Sequence, residues 1–456
     1  MTEAARPSRP GMGTLNRLSQ EQANMIALKH EMLYSGRIGG ARAVFAFCDL
    51  TGLNLSGRNL ADADFTGAVL TECNLAGATL DRATMFCSDL RRANMGRASM
   101  RRVDLRGACL RGAFMVGVDL FEADLRDGAI AEKDRSGNLK FLHHDLRPTE
   151  MQSVVLANAN LERARLTGII AIQADFTDAV MRGCKLVRAN LRQTKMAGVN
   201  LEGADLSGAD LTGADLKGAV LTGANMTLAV TDHARMEDVL TDAPAGTALA
   251  DLAVPIETQL ALHAQWVETG GVSGKPLILA NVDLRPLKTL PNANLTAVQL
   301  PGCVFYGMEL AGIQLQGAKL EGADFRAAKL GGADLRGINL KHAKLNNSDL
   351  RDCHLGPLLI GPERTLPAQL QGAIIRYADM RGADLLQTNF TDCDLSYSNM
   401  AGARMRGTDF TNARLENTRF SQGFLRDAAS VGVKGLSPPE APAGASGTPS
   451  APPPAR

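Results

Sequence analysis

A large apolar residue recurs at every fifth position for most of this chain. The first run reads Phe45, Leu50, Leu55, Leu60, Phe65, Leu70, Leu75, Leu80, Met85, Leu90, Met95, Met100, Leu105, Leu110, Met115, Leu120, Leu125 and Ile130. Two residues before the large one sits a compact one, as at Ala63, Ala68, Cys73, Ala78, Ala83, Ser88, Ala93 and Ala98. Asp or Asn often lies between them, as in Ala63-Asp64-Phe65 and Ala93-Asn94-Met95. An amphipathic helix repeats at 3.6 residues and a half-buried strand at 2, so neither yields a period of five. Repetition at fixed spacing means a stacked, solenoidal fold.

Residues two apart on an extended segment share a side. The compact and the large residue therefore both face inward, with Asp or Asn between them facing out. The chain must then turn once every five residues. Gly often falls two positions after the large residue, as at Gly57, Gly67, Gly77, Gly208, Gly213, Gly218 and Gly223, where a turn benefits from a missing Cβ. Stacked coils become parallel strands about 4.8 Å apart, each satisfying its neighbour's backbone. The interior is a filled column too narrow for a ligand.

The run Ala204-Asp205-Leu206-Ser207-Gly208-Ala209-Asp210-Leu211-Thr212-Gly213-Ala214-Asp215-Leu216-Lys217-Gly218 resembles the pentapeptide repeat family. The resemblance implies an all-β solenoid, a right-handed quadrilateral parallel β-helix with four pentapeptides per coil. At about twenty residues per coil the chain would hold roughly ten coils and then seven, as rods of about 45 Å and 35 Å.

The register breaks in two places. The first phase ends at Ile130 and restarts one residue out of step at Phe141, Leu146 and Met151. Between them Glu132-Lys133-Asp134-Arg135-Ser136-Gly137-Asn138 reads as a loop inserted between coils. A second array begins near Leu284 and, after one extra residue, runs from Leu295 to Leu425 with Thr365 its one polar member. That lapse lies in Gly361-Pro362-Glu363-Arg364-Thr365-Leu366-Pro367, read as a bulged corner.

Similar segments lead into the two arrays. His30-Glu31-Met32-Leu33 precedes Gly36, Gly39 and Gly40, and His263-Ala264-Gln265-Trp266 precedes Gly270, Gly271 and Gly274. Ser19-Gln20-Glu21-Gln22 reads as a capping box opening the first helix, and Pro255 suits the first turn of the second. Open solenoid ends expose apolar core and unpaired backbone, so helical caps are expected. The organisation is then a disordered start and helical cap over 1–43 and a first array over 44–242 with a loop insertion near 131–140. A helical connector and cap follow over 243–280, a second array over 281–428, and a disordered Pro/Ala-rich tail over 429–456.

Forty-nine basic residues against forty-eight acidic ones leave a net charge of +1, which supplies no global field for nucleic acid or for acidic mimicry. Cys48, Cys73, Cys184, Cys303, Cys353 and Cys393 occupy the compact inward position, as free thiols in a cytoplasmic protein would. Residues 1–12 lack the apolar stretch of a secretory signal, and no run reaches transmembrane length.

Little in the chain carries chemistry. Gly270-Gly271-Val272-Ser273-Gly274-Lys275 resembles a phosphate loop, but Thr269 and Pro276 fail its spacing, and a helix-ending turn fits better. His143-His144-Asp145 fails as a metal site because adjacent strand residues face opposite ways. His30, His263 and Trp266 read as cap residues. The aspartates fall in the outward repeat position, away from any desolvated cleft, so no enzyme, metal or cofactor is expected.

Specificity could reside in surface charge. Arg82, Arg91, Arg102, Arg106, Arg111 and Arg126 would form ladders (82 under 102, 91 under 111, 106 under 126) about 5 Å apart, unfavourable without an anionic partner or interleaved acids. The leading expectation is a scaffold that binds an as yet unidentified protein partner. The alternative, implied by the resemblance, is a DNA-like protector of a type II topoisomerase (gyrase), which the neutral charge disfavours. The resemblance also implies a homodimer through exposed array ends. Direct nucleic-acid binding is disfavoured by the scarcity of aromatics near the arginines, and no membrane role is expected.

Overall fold

The structure, a computed structural model, describes residues 15–128, 148–421 and 433–434, with backbone alone for 131–133 and 139–141. It divides into two compact units, Met1–Ala243 and Pro244–Arg456.

In the first unit every pentapeptide places one residue in a parallel bridge with the residue twenty positions on: Asn54 with Asn74, Asn59 with Thr79, Asp64 with Thr84, Val69 with Asp89. Four rows of bridges per twenty residues make four pentapeptides per coil, as the resemblance implies. The ladder is regular, with Leu55 N–H donating to Asn74 O at 2.8 Å and Asn74 N–H to Leu53 O at 2.9 Å. Each corner is a turn closed by the large residue's carbonyl, which accepts from the N–H three residues on, as Leu60 O does from Ala63 at 3.1 Å. The third turn residue has positive φ, and where it is not glycine, as at Asp62 (59°) or Arg82 (58°), the backbone stores about 1 kcal/mol or more.

The interior is the filled column expected. Leu50, Leu55, Leu60 and Phe65 are fully buried together with Ala63 and Ala68. Aromatic rings continue from coil to coil, with Phe45 and Phe65 stacked at 4.9 Å. All eight cysteines are free, and burial pushes the Cys73 thiol up to about 12.

The first cap is helix α1, Gln20–Tyr34, opened by the expected Ser19–Gln22 capping box. It buries Ala23, Ala27 and His30. Three edges of the first coil are covered by different devices. Asn16–Arg17 pairs as a parallel strand with Cys48–Asp49. The Gln20 side-chain amide imitates a strand at Asn54, donating to its carbonyl (2.8 Å) and accepting from its N–H (2.7 Å). Glu31 accepts from Asn59 N–H at 3.4 Å while pairing with Arg58.

The register break in this unit is wider than a loop at 131–140. Bridge spacing rises from 20 to 41 at Cys109–Glu150, Phe114–Val155, Asp119–Asn160 and Asp124–Arg165, an insertion of 21 residues. Twenty-one is four repeats plus one, which explains the one-residue phase shift. Ala131–Lys133 pairs antiparallel with Leu139–Phe141, so Phe141 belongs to a hairpin, and the array resumes at Glu150–Met151. The inserted residues leave about nine coils between Val44 and Leu240 rather than ten. Ile130, Leu146 and His143-His144-Asp145 lie outside the described residues, as do residues 1–14 and the tail after Lys434.

The second unit opens on helix α2, Ile256–Glu268, preceded by Pro255 and by a bridge between Thr247 and Val282. Spacing is 21 at Ile278–Gln299 and Asp283–Val304 and becomes 20 from Thr289, the extra residue being taken up by the 3-10 turn Arg285–Leu287. The lapse at Thr365 is a hairpin rather than a bulged corner. Leu358–Gly361 pairs with Arg364–Leu366, and bridge spacing jumps to 30 at Asn339–Gln369. Ile360, in phase with the apolar series, is 51 % exposed.

Candidate interaction surfaces

The arginines singled out from the sequence do not form bare ladders, because acids are interleaved with them. Arg82 and Arg102, one coil apart, turn in opposite directions: Arg82 pairs with Asp62 in the coil before (2.6 Å) and Arg102 with Glu122 in the coil after (2.7 Å). Arg91 holds Asp89 at 2.6 Å while Arg111 holds Glu150 at 2.7 Å. Arg106 and Arg126 each hold the aspartate two residues back, Asp104 at 2.8 Å and Asp124 at 2.7 Å. The hydrogen bond from Arg82 holds the Asp62 carboxyl below the usual carboxylate range, burial opposing it.

Behind these pairs is a local device that the sequence displays as Asp-apolar-Arg. The outward Asp or Asn accepts from the N–H two residues on, as Asp49 does from Thr51 (2.9 Å) and Asn74 from Ala76 (3.1 Å). When that second residue is arginine, its Nε and Nη2 also reach the two carboxylate oxygens, a bidentate pair. Asp89–Arg91, Asp104–Arg106, Asp124–Arg126, Asp283–Arg285, Asp324–Arg326, Asp334–Arg336, Asp349–Arg351 and Asp379–Arg381 all do this. The Asp324–Arg326 pair is nearly sealed, its side chains 10 % and 8 % exposed. At Asp283 burial works to raise the carboxyl, but hydrogen bonds from Arg285 and the Ala245 N–H outweigh it and hold the group low. These aspartates serve turns and arginines, a role far from acid–base catalysis.

One outward row of the first unit runs Asn54, Asn74, Asn94, Phe114 and Val155 before its first charge at Asp175, and Phe114 is 48 % exposed.

The cap residues are structural. His30 Nδ1 accepts from Ala43 N–H (3.0 Å), so its Nε2 carries the hydrogen and donates to Ala61 O (2.8 Å). His263 Nδ1 accepts from Leu277 N–H (3.1 Å), and Trp266 stacks on the ring at 5.7 Å. The glycines from Gly270 form the closing turn of α2, where Thr269 Oγ1 accepts from Ser273 N–H at 3.0 Å. Among the described residues no group of three or more His, Cys, Asp and Glu is placed to hold a metal, and no helix is long and apolar enough to cross a membrane.

The family described as pentapeptide repeats matches in eight copies, over residues 48–85, 88–127, 159–198, 194–230, 290–326, 318–356 and 388–427, more than half of the sequence. The chain belongs to the pentapeptide-repeat family. No curated protein matches it. Among solved structures it is similar to HetL, a pentapeptide repeat protein involved in heterocyst differentiation regulation in Nostoc sp. strain PCC 7120, at 20 % identity over 81 % of this chain and 87 % of that one, with a TM-score of 0.14. Rfr23 from Cyanothece 51142 gives 24 % identity over 31 % of this chain and 88 % of that one, TM-score 0.15. Full-length QnrB1, a plasmid-mediated fluoroquinolone resistance protein, gives 14 % identity over 62 % and 92 %, TM-score 0.15. In this pentapeptide-repeat chain the twenty-residue bridge spacing itself defines the four-sided coil.

Proposed function

We propose that this pentapeptide-repeat protein is a non-enzymatic, cytoplasmic scaffold whose two right-handed quadrilateral β-helices present rigid faces to a protein partner. The observation that carries this reading is the disposition of its acids. Aspartates that catalysis or a DNA-like surface would need free are spent on turn N–H groups and on bidentate arginine pairs, while the interiors are filled with side chains. Repeat solenoids provide extended surfaces of this kind by construction. The near equality of basic and acidic residues counts against protection of a topoisomerase by DNA mimicry.

The test is an affinity pull-down of the full chain from native lysate, washed at low and high salt and treated with nuclease. A protein retained through both treatments supports the scaffold and names its pathway. Recovery of gyrase or another type II topoisomerase makes the mimicry reading primary. Retention through nucleic acid alone, lost with nuclease, sinks both. Sedimentation of the purified chain reads the homodimer expected from open array ends.

A further inference from the structure

In a parallel β-helix each bridging residue's two neighbours bond the next coil, while its own N–H and C=O point toward the previous one. The first coil therefore presents unpaired edges unless something covers them. Unit 1 covers three of its four first-coil edges with a strand, an amide and a carboxylate, and leaves the fourth at Val44, which is 54 % exposed. Unit 2 shares the strand device, Asp283 N–H donating to Thr247 O at 2.9 Å, and again leaves bare the position equivalent to Val44, Ile278, which is 57 % exposed. Gln299 N–H donates to Leu277 O and Leu279 N–H to Gln299 O, but the N–H and C=O of Ile278 itself have no partner among the described residues.

The two bare edges differ in their surroundings. From covering strand to helix, unit 1 needs only the step from Asn16 to Gln20, whereas unit 2 runs from Thr247 to Ile256, five residues longer. The longer connection builds a wall. Leu252 and Val254 with Leu262, Pro276 and Leu279 line an open, mostly apolar concavity of about 330 Å³ that Lys275 also lines. A second concavity of about 260 Å³ shares Leu279 and follows Ile278 past Pro301 to Lys319 and Glu321. Neither lysine makes an ion pair among the described residues, although arginines throughout the arrays do.

We propose that the Ile278 edge accepts an extended peptide from a partner protein. The peptide adds as a strand beside Ile278, seats an apolar side chain in the larger concavity and places an acidic one against Lys275 or Lys319. Strand addition draws affinity from main-chain hydrogen bonds and specificity from alternate side-chain pockets, and this edge offers both. Two unpaired lysines against the single Glu321 set the preference for acid. The proposal rests on the scaffold reading and locates one of its contacts.

A phage-displayed dodecapeptide library panned on the full chain, with the enriched peptide then synthesised, tests it. We expect alternating apolar residues beside an acidic one. Ile278→Pro should weaken binding about tenfold, since it removes the outward N–H. Proline is tolerated there because that N–H makes no bond within the unit. Lys319→Glu should weaken binding about threefold, less so at high salt, and Val44→Pro should leave it unchanged. N-methylating alternate peptide amides should abolish binding, and this keeps the test decisive should Ile278→Pro fail to fold. Absence of enrichment, or peptides indifferent to both Ile278→Pro and N-methylation, overturns the proposal. So does a chain dimer in sedimentation that Ile278→Pro dissociates, which would make a second copy the occupant. These outcomes leave the scaffold reading standing, because that reading falls only with the pull-down.

Discussion

The two caps share a helix-and-histidine plan, and their buried histidines differ at one nitrogen. In each, a short helix lies over the first coil and a buried histidine accepts from the backbone N–H that begins the array, Ala43 in one unit and Leu277 in the other. In unit 1 the other ring nitrogen donates to Ala61 O, which also accepts from the Tyr34 hydroxyl at 2.9 Å. In unit 2 that nitrogen is buried without a hydrogen-bond partner, the Thr296 backbone lying near it but outside bonding geometry. The first histidine latches its cap from both sides, and the second holds on one side at the cost of an unsatisfied N–H.

What the caps share should produce the largest effects. Gly40 lies where an added Cβ would collide with the Leu33 backbone of α1, and Gly274 where it would strike Leu262 O and Trp266 N of α2. In each case the obstacle is helix backbone, which cannot swing aside as a side chain would. Gly40→Ala and Gly274→Ala should each cost about 3 kcal/mol or more, with Gly274 carrying an added penalty for its φ of +81°. Calorimetry gives the size, and hydrogen-exchange mass spectrometry should show lost protection in the mutated unit only. Equal loss in both units would break the idea that each cap serves its own array.

The histidines themselves should separate the caps. His30→Ala removes two hydrogen bonds and leaves a cavity, so about 3 kcal/mol is expected in unit 1. His263→Ala loses one bond but also deletes a buried unsatisfied donor, and about 1 kcal/mol is expected in unit 2. Urea unfolding followed by exchange in each cap measures the difference. A larger effect at His263 would mean that its free nitrogen has a partner after all.

Acid should act on the same asymmetry. Burial lowers the His263 imidazole below its ordinary value, with the Thr296 backbone opposing weakly. The unfolded chain therefore binds the proton more readily. His263 then contributes stability that is present above about pH 6.5 and fades as pH falls from there toward the folded value. Protonating Nδ1 would also set its new N–H against that of Leu277. Melting temperatures for unit 2 should fall as pH drops below about 6.5, a slope that His263→Leu should flatten. Below about pH 4 the low-lying carboxyls of Asp62, Asp283 and Asp349 add a second loss, since their stabilisation exists only while they are ionised.

Much of this was legible in the sequence, and the failures have an arithmetic cause. The every-fifth series marks the core because each coil repeats one inward position, and the paired histidines mark the caps because each array must close its first coil. The series failed at insertions. Ten inserted residues are two repeats, so Ile360 stays in phase although it is exposed on a hairpin. Twenty-one inserted residues shift the phase by one, which betrayed a break but let Phe141 pass for a core position. The arginine surface was half legible. Counting a coil ahead finds Arg under Arg, while the interleaved acid stands two residues back for Arg91, Arg106 and Arg126 and one coil away for Arg82, Arg102 and Arg111. The triplet was visible all along, but its pairing depends on turn geometry that composition does not carry. The groove beside Ile278 had no signal beyond five extra residues before α2.

The smallest test concerns Gln20, whose role follows from what an unpaired edge demands. The side-chain amide sets a donor and an acceptor at the spacing of a peptide group on Asn54 O and Asn54 N–H, while its second N–H donates to Asn24 Oδ1 at 3.0 Å. Both backbone groups lie at an exposed rim, so water can replace the amide at modest loss. Gln20→Ala should therefore cost only about 1 kcal/mol, and Gln20→Glu should cost nearly as much, since a carboxylate accepts from the N–H but faces the carbonyl with a repelling charge. Amide exchange at Asn54 should accelerate in both variants while Asn59, guarded by Glu31, stays slow. Should Asn59 accelerate equally, the devices on the first coil would form one cooperative lid, and the bare edge at Val44 would have to be counted as part of it.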